Sequence, residues 1–231
     1  MIRAALAFTL PLFALGALLM ALGARGQDAA TRRVRWVKFL FFFLIVHGVV
    51  GAAQSGRAAL TLLAGAIVLA GAWELARVRL RIPAWLWIPA LALFAGFLAR
   101  CWTLEPGRIL YLFLGAAAFD GLSQVTGQLW GRRPLAPSIS PAKTLEGLAG
   151  GMAGAVLAAL ALRGLAHRGP GAALLGGIGI GLAALAGDLA GSWTKRRAGV
   201  KDFSGLLPGQ GGVLDRFNSF MAAAVLAGPF L

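Results

Sequence analysis

Apolar residues run through this chain in stretches of about twenty, and polar residues are confined to the intervals between them. The pattern predicts eight spans, at roughly 4 to 23, 37 to 53, 58 to 76, 83 to 99, 109 to 128, 145 to 162, 171 to 194 and 213 to 231. Each is read as a helix, because a segment crossing hydrocarbon must satisfy its own backbone N–H and C=O groups. Trp36, Trp85, Trp87, Trp102 and Trp193 fall near the span ends, where an amphipathic ring suits the headgroup layer. The expected fold is all-α, a polytopic transmembrane helical bundle. It reads as one integral membrane unit in which residues 1–108 supply scaffold helices and residues 109–231 carry the polar chemistry. The first run, Ala4 to Gly23, is longer than the apolar core of a signal peptide and leads into "TRRVRWVK", so it is read as an uncleaved helix.

Composition supports that class: 59% of residues are hydrophobic and only 13% charged. A net charge of +14 could suggest nucleic acid, but the basic residues sit in short segments without an aromatic-basic surface, so no nucleic-acid partner is expected. Their distribution gives an orientation instead. One side collects Arg25, Arg32, Arg33, Arg35 and Lys38, then Arg77, Arg79 and Arg81, then Arg132, Arg133 and Lys143, then Lys195, Arg196, Arg197, Lys201 and Arg216. The other side has Arg3, Arg57, Arg100, Arg108, Arg163 and Arg168. The positive-inside rule therefore puts both termini outside and the rich segments in the cytoplasm. Small-xxx-small patterns at Gly147, Gly150, Gly151 and Gly154, and at Gly177, Gly181, Gly187 and Gly191, predict close helix contacts within the chain, with a homodimer face as the alternative. The single cysteine, Cys101, offers neither an intramolecular disulfide nor a metal cluster, and His47, without a second histidine nearby, reads as a helix-packing residue.

Acidic residues number eight, and five of them, Asp120, Glu146, Asp188, Asp202 and Asp215, fall in the second half, within or beside spans on the basic side. A carboxylate in a membrane segment normally faces a wet cavity, a cation or a partner. Asp188, Ser192 and Lys195 share a helical stripe, as do Asp215, Asn218 and Ser219, and so do Asp120, Ser123, Gln124 and Gln128. The glycines of "PGQGG" permit close backbone approach, and their amides are expected to meet anionic oxygens. Hard oxygen ligands inside a basic rim suit Mg²⁺ and a polyphosphate, the alternative being simple pairing with nearby arginines. "PAKTLEG" resembles the end of a nucleotide P-loop, but Ala142 stands where glycine is required and no strand is expected before it.

These residues resemble the phosphatidate cytidylyltransferases, or CDP-diacylglycerol synthases. That family's signature runs as serine, two positions, Lys-Arg, four positions, Lys-Asp, then Pro-x-His-Gly-Gly and Asp-Arg-x-Asp. Ser192, Lys195, Arg196, Lys201, Asp202, Pro208, Gly211, Gly212, Asp215 and Arg216 match it in spacing, and "APSISPAKTLEG" and "GDLAGS" resemble two further family segments. Gln210 replaces the family histidine, Asn218 the second aspartate, and Thr194 a usually apolar residue.

The resemblance implies transfer of a cytidylyl group from CTP to phosphatidate or a related lipid phosphate, with membrane lipids as the setting. It implies catalytic roles for Asp188, Asp215, Lys195, Lys201 and Asp202. Substrate contacts would come from Ser138, Ser140, Lys143, Glu146, Ser192, Arg196, Gly211, Gly212 and Arg216. Mg²⁺, with room for a second cation, would be held by Asp188, Asp215, Asp120 and Asn218. The expected setting is a bacterial inner (cytoplasmic) membrane with the active site facing the cytoplasm. Two alternatives stay open: a CTP-dependent polyprenol or lipid-alcohol kinase, and a non-catalytic lipid-binding or transport paralogue.

Overall fold

A computed structural model describes residues 1–23 and 28–230. Among them are eight α-helices and one short hairpin: α1 (Ile2–Gly23), α2 (Ala29–Gln54), α3 (Arg57–Arg77), α4 (Trp87–Thr103), α5 (Pro106–Trp130), β1 (Pro134–Ala136), β2 (Ser140–Thr144), α6 (Leu145–Ala161), α7 (Pro170–Arg197) and α8 (Leu214–Ala222). Every predicted span is a helix. Six helices (α1 to α5 and α7) are long and apolar enough to cross a membrane; α4 reaches that length with the 3-10 turn before it. α6 is a shorter apolar helix, and α8 continues as a π-helical stretch, Ala223–Ala227, and a 3-10 turn, Gly228–Phe230. The protein is an integral membrane helical bundle.

Three local expectations are corrected. "TRRVRWVK" is the start of α2, not a loop: Asp28 accepts the Thr31 amide at 2.8 Å and caps a helix whose basic residues begin at once. Lys195, Arg196 and Arg197 form the last turn of α7, where cations complement the negative helix end. That helix stops because Gly199 takes φ +65°, with the Val200 amide on the Lys195 carbonyl at 3.0 Å and the Gly199 amide on the Arg196 carbonyl at 3.1 Å, a Schellman closure. Third, residues 134–144 form a hairpin in an otherwise helical protein. Arg25 lies outside the described residues.

α5 is central. Ile109, Leu110, Tyr111, Leu112 and Leu114 are buried in its first half, and α5 packs against α2, α4, α6, α7 and α8. Close approach in lipid depends on small residues, since hydrocarbon is as apolar as leucine. A Cβ on Gly151 of α6 would stand 2.9 Å from the Phe119 ring, and one on Gly154 2.7 Å from the Ala118 carbonyl. Gly177 and Gly181 of α7 admit α6 at Val156 and Met152, and Gly187 and Gly191 admit α8 at Asn218 and Ala222. The small-residue stripes are thus occupied within the chain. Leu62, Leu69, Ile88 and Leu175 point outward as a lipid-facing surface. His47 stacks on Phe43 with ring centroids 4.0 Å apart and meets the Thr9 hydroxyl at 3.4 Å, joining α1 to α2.

The start of α2, the end of α3, the hairpin, the end of α7 and the start of α8 gather at one end of the bundle. Gln210 there donates to the Lys38 carbonyl at 2.6 Å, Arg196 to the Ile139 carbonyl at 3.3 Å, and Trp85 touches Trp193. The four basic segments therefore share an end, as the alternation of charge predicts. At the other end Glu105 pairs with Arg108 and His167, and Arg168 donates to the Phe230 carbonyl at 3.0 Å.

Candidate active site

The polar end is assembled from three connected pieces. The hairpin is the first. Pro134 faces Thr144 and Ala136 faces Ser140 across it, while Ser138 lies exposed in the turn. Its base is closed by the Leu145 amide on the Arg133 carbonyl at 2.9 Å. Glu146, in the first turn of α6, accepts the Arg132 and Arg133 amides at 3.0 and 3.2 Å, and Thr144 caps α6 by accepting the Gly147 amide at 3.1 Å. Glu146 thus organises the backbone at the base of the hairpin. A strand does precede Lys143 and Thr144, contrary to expectation. The lysine lies within that strand and not in a glycine loop, so no phosphate cradle of the P-loop kind forms.

Lys143 carries the hairpin to the second piece by pairing with Asp188 of α7, whose side chain is 39% exposed. Asp120 of α5 is tied to α8, where Ser219 donates to its Oδ1 at 3.0 Å. Asp120 and Asp188 are hard-oxygen donors from different helices and are the carboxylates here that could hold Mg²⁺, whose other positions go to water or phosphate. No group of three or more His, Cys, Asp and Glu side chains gathers as a metal site among the described residues. Ser123, next on the Asp120 stripe, lends its carbonyl to the contact with Gly147, while Gln124 and Gln128 are exposed.

The third piece is the loop between α7 and α8. Asp215 is 1% exposed and is its hub: Oδ1 accepts Lys195 Nζ at 2.6 Å, and Oδ2 accepts the Gly212 amide at 2.8 Å and the Phe203 amide at 3.0 Å. Leu207, Pro208, Gly209 and Gln210 make a type II turn closed by the Gln210 amide on the Leu207 carbonyl at 2.8 Å, with φ +70° at Gly209. Gly211 takes φ +85°, and a Cβ there would stand 3.0 Å from Asp215 Oδ2 and 3.3 Å from Asp202 Oδ1. Lys201, Asp202 and Arg216 are exposed around this hub, and Arg196 reaches the hairpin turn.

The structure therefore separates residues that the sequence puts on one stripe. Asp188 is engaged by Lys143 and Lys195 by Asp215, and seven residues of helix place those two α7 positions about 10 Å apart along its axis. The pairing partners of both aspartates are lysines, where the alternative reading had arginines. Asn218 packs on Gly191, Ser192 is half-buried beside it, and the Gly212 amide serves Asp215 rather than standing open to an anion. Sequence reasoning missed one participant, Glu74, which is fully buried near the end of α3 and accepts the Val213 and Leu214 amides at 2.8 Å each. It is one of only eight acids and sits in an apolar run, the signal that selected Asp188. Only the acids of the second half of the chain are weighed as site residues from the sequence, and Glu74 lies in the first.

Residues 82–231 match the model of the cytidylyltransferase family. The chain belongs to the cytidylyltransferase family. It is accordingly a nucleotidyltransferase. Among relatives, a phosphatidate cytidylyltransferase of Brucella abortus biovar 1 (strain 9-941) is 38% identical over 224 residues, covering 89% of this chain and 75% of that protein. One of the same name from Mycobacterium leprae (strain TN) is 37% identical over 142 residues, 61% of this chain and 45% of that one. The uncharacterized protein YnbB of Escherichia coli (strain K12) is 40% identical over 126 residues, 52% and 42% respectively. The family match contains the hairpin, α7 and the loop hub, and it leaves Glu74 outside.

Proposed function

We propose that this cytidylyltransferase joins CTP to phosphatidate, forming CDP-diacylglycerol and pyrophosphate on the cytoplasmic side of a bacterial inner membrane. The observation that carries the reading is the presence, at the basic end of the bundle, of two lysine–carboxylate pairs, Lys143 with Asp188 and Lys195 with Asp215, with Asp120 held from α8 by Ser219. Phosphatidate is named by the relatives, and its phosphomonoester is already an anionic nucleophile at neutral pH. No strong base is needed; the barrier is the approach of one anion to another, which positioning and charge neutralisation lower.

Lys143, Lys195, Arg196, Lys201 and Arg216 supply the cations for triphosphate and lipid phosphate. The residues that would hold Mg²⁺ are Asp188 and Asp120, with Asp215 free to join them only where Lys195 gives up its Oδ1, and the ion would neutralise the triphosphate and the departing pyrophosphate. Asp215 fixes Lys195 and the loop; Asp202 lines the same loop hub at Gly211. In this reading Ser138, Ser140 and Ser192 would serve as neutral hydrogen-bond donors to the substrates.

The test incubates purified protein in phosphatidate vesicles with Mg²⁺ and CTP labelled either in the cytosine ring or in the γ-phosphate. Ring label on the lipid is the expected result. Label on lipid from the γ-phosphate alone would mark a kinase, and no label from either a binding protein.

A further inference from the structure

We propose that Glu74 is a positioning residue for nucleotidyl transfer: from the end of α3 it fixes the α7–α8 loop and the start of α8, on which Asp215 and Arg216 stand. The inference rests on the reading of the reaction given above and adds a residue to it. Glu74 is wholly buried, and three donors converge on it. Oε1 accepts the Val213 amide at 2.8 Å and the Ser204 hydroxyl, and Oε2 accepts the Leu214 amide at 2.8 Å. Val213, at the head of α8, makes no side-chain cap of its own, so a carboxylate from another helix satisfies the first orphan amides and complements the positive helix end. Glu74 has no salt-bridge partner among the described residues, which leaves this helix end as its counter-charge.

Geometry ties the same carboxylate to the glycine pair. A Cβ on Gly212 would stand 2.6 Å from Glu74 Oε1 and 2.8 Å from its Cδ. The neighbouring Gly212 amide turns the other way, onto Asp215 Oδ2. Consecutive amides, at 212, 213 and 214, are therefore divided between a carboxylate of the site and a carboxylate of the scaffold. Displacing Glu74 releases the peptide that orients Asp215, and with it Lys195. Only an acceptor-only group fits: glutamine would turn an NH₂ donor toward at least one donor it must accept from.

The experiment uses the full chain in phosphatidate vesicles, wild type beside Glu74→Gln, Glu74→Ala and Gly212→Ala. Turnover of labelled CTP and amide hydrogen exchange are both read. Glu74→Gln should lower kcat about 10- to 100-fold, the scale of one lost hydrogen bond to a charged acceptor, with KM for CTP changed by less than about threefold. Exchange should rise selectively over residues 203–214 while α5 and α6 keep their protection. Should Glu74→Ala not fold, Gly212→Ala perturbs the same contact from the opposite side and should give the same selective pattern. Wild-type kcat in Glu74→Gln, or exchange rising evenly through all helices, overturns the proposal. If the wild type itself makes no cytidine-bearing lipid, the reaction has been misread; the exchange pattern then decides for Glu74 alone, a selective rise upholding its hold on the loop and an unchanged loop ending it.

Discussion

Removing the two signature aspartates should have different physical consequences, although both should stop turnover. Asp188 has a side chain 39% exposed and one described ionic partner, Lys143. Lys143 Nζ is buried, so Asp188→Ala strands one ammonium and should lower stability by about 1–3 kcal/mol in mixed micelles. Asp215 is 1% exposed and accepts from Lys195, Phe203 and Gly212. Its loss leaves a mostly buried ammonium and two amides without their acceptor, and breaking a buried pair from one side costs about 3–5 kcal/mol. Asp215→Asn keeps the shape and one acceptor oxygen, and should fall between the two. Reversible unfolding of the three variants, measured beside incorporation of cytosine-labelled CTP into lipid, separates the effects. Turnover should be lost in both alanine variants, with the larger loss of stability in Asp215→Ala, which strands two amides as well as an ammonium. Equal destabilisation by the two substitutions, or wild-type turnover in Asp188→Ala, would refute this division of labour.

Other outcomes follow from the same contacts. Gln210 donates to the Lys38 carbonyl at 2.6 Å, a bond that a histidine N–H can also make, so Gln210→His should hold turnover within about twofold; a gain of orders of magnitude would mean that this position acts in proton transfer. Chelation of Mg²⁺ should abolish labelling of lipid, and added Mg²⁺ should restore it, because in the proposed reading Asp120 and Asp188 act on the triphosphate through the ion. Gly187→Ala should destabilise by about 1–3 kcal/mol and reduce turnover, because its Cβ would stand 2.5 Å from the Asn218 carbonyl and force α8 away from α7. Gly179→Ala, with nothing within 4 Å, is the neutral control in the same unfolding measurement. Thr144→Ala should lose about 1 kcal/mol of stability with the cap on α6.

Six of the spans were legible because lipid imposes one demand on them, a long apolar helix, and the alternation of basic segments then assigns those segments to one end of the bundle; α6 and α8 are shorter. The hairpin was not legible. "PLAPSISPAKT" has prolines at 134, 137 and 141 and no two-residue alternation, and its register is held by Glu146 and Arg196, which lie outside the strands. Helix ends differ from expectation where charge alone suggests a loop. The basic start of α2 and the Lys-Arg-Arg end of α7 are helical because Asp28 caps one and Gly199 closes the other.

The candidate site shows the same boundary between local and tertiary information. Periodicity correctly puts Asp188 and Lys195 on one stripe, but it carries nothing about which partner each finds. Lys143 comes to Asp188 only because the hairpin folds back from α5, and Asp215 comes to Lys195 only because Gly187 and Gly191 let α8 lie against α7. The conformation of the loop between them is set by two carboxylates that share a run of amides, one within the signature and one on α3. A motif confined to the second half of the chain therefore specifies which groups are present, while a residue of the first half helps to decide where they stand. That is why grafting the segment from Asp120 onward onto unrelated helices should give a protein whose α7–α8 loop exchanges freely, unless a carboxylate is supplied at the height of Glu74.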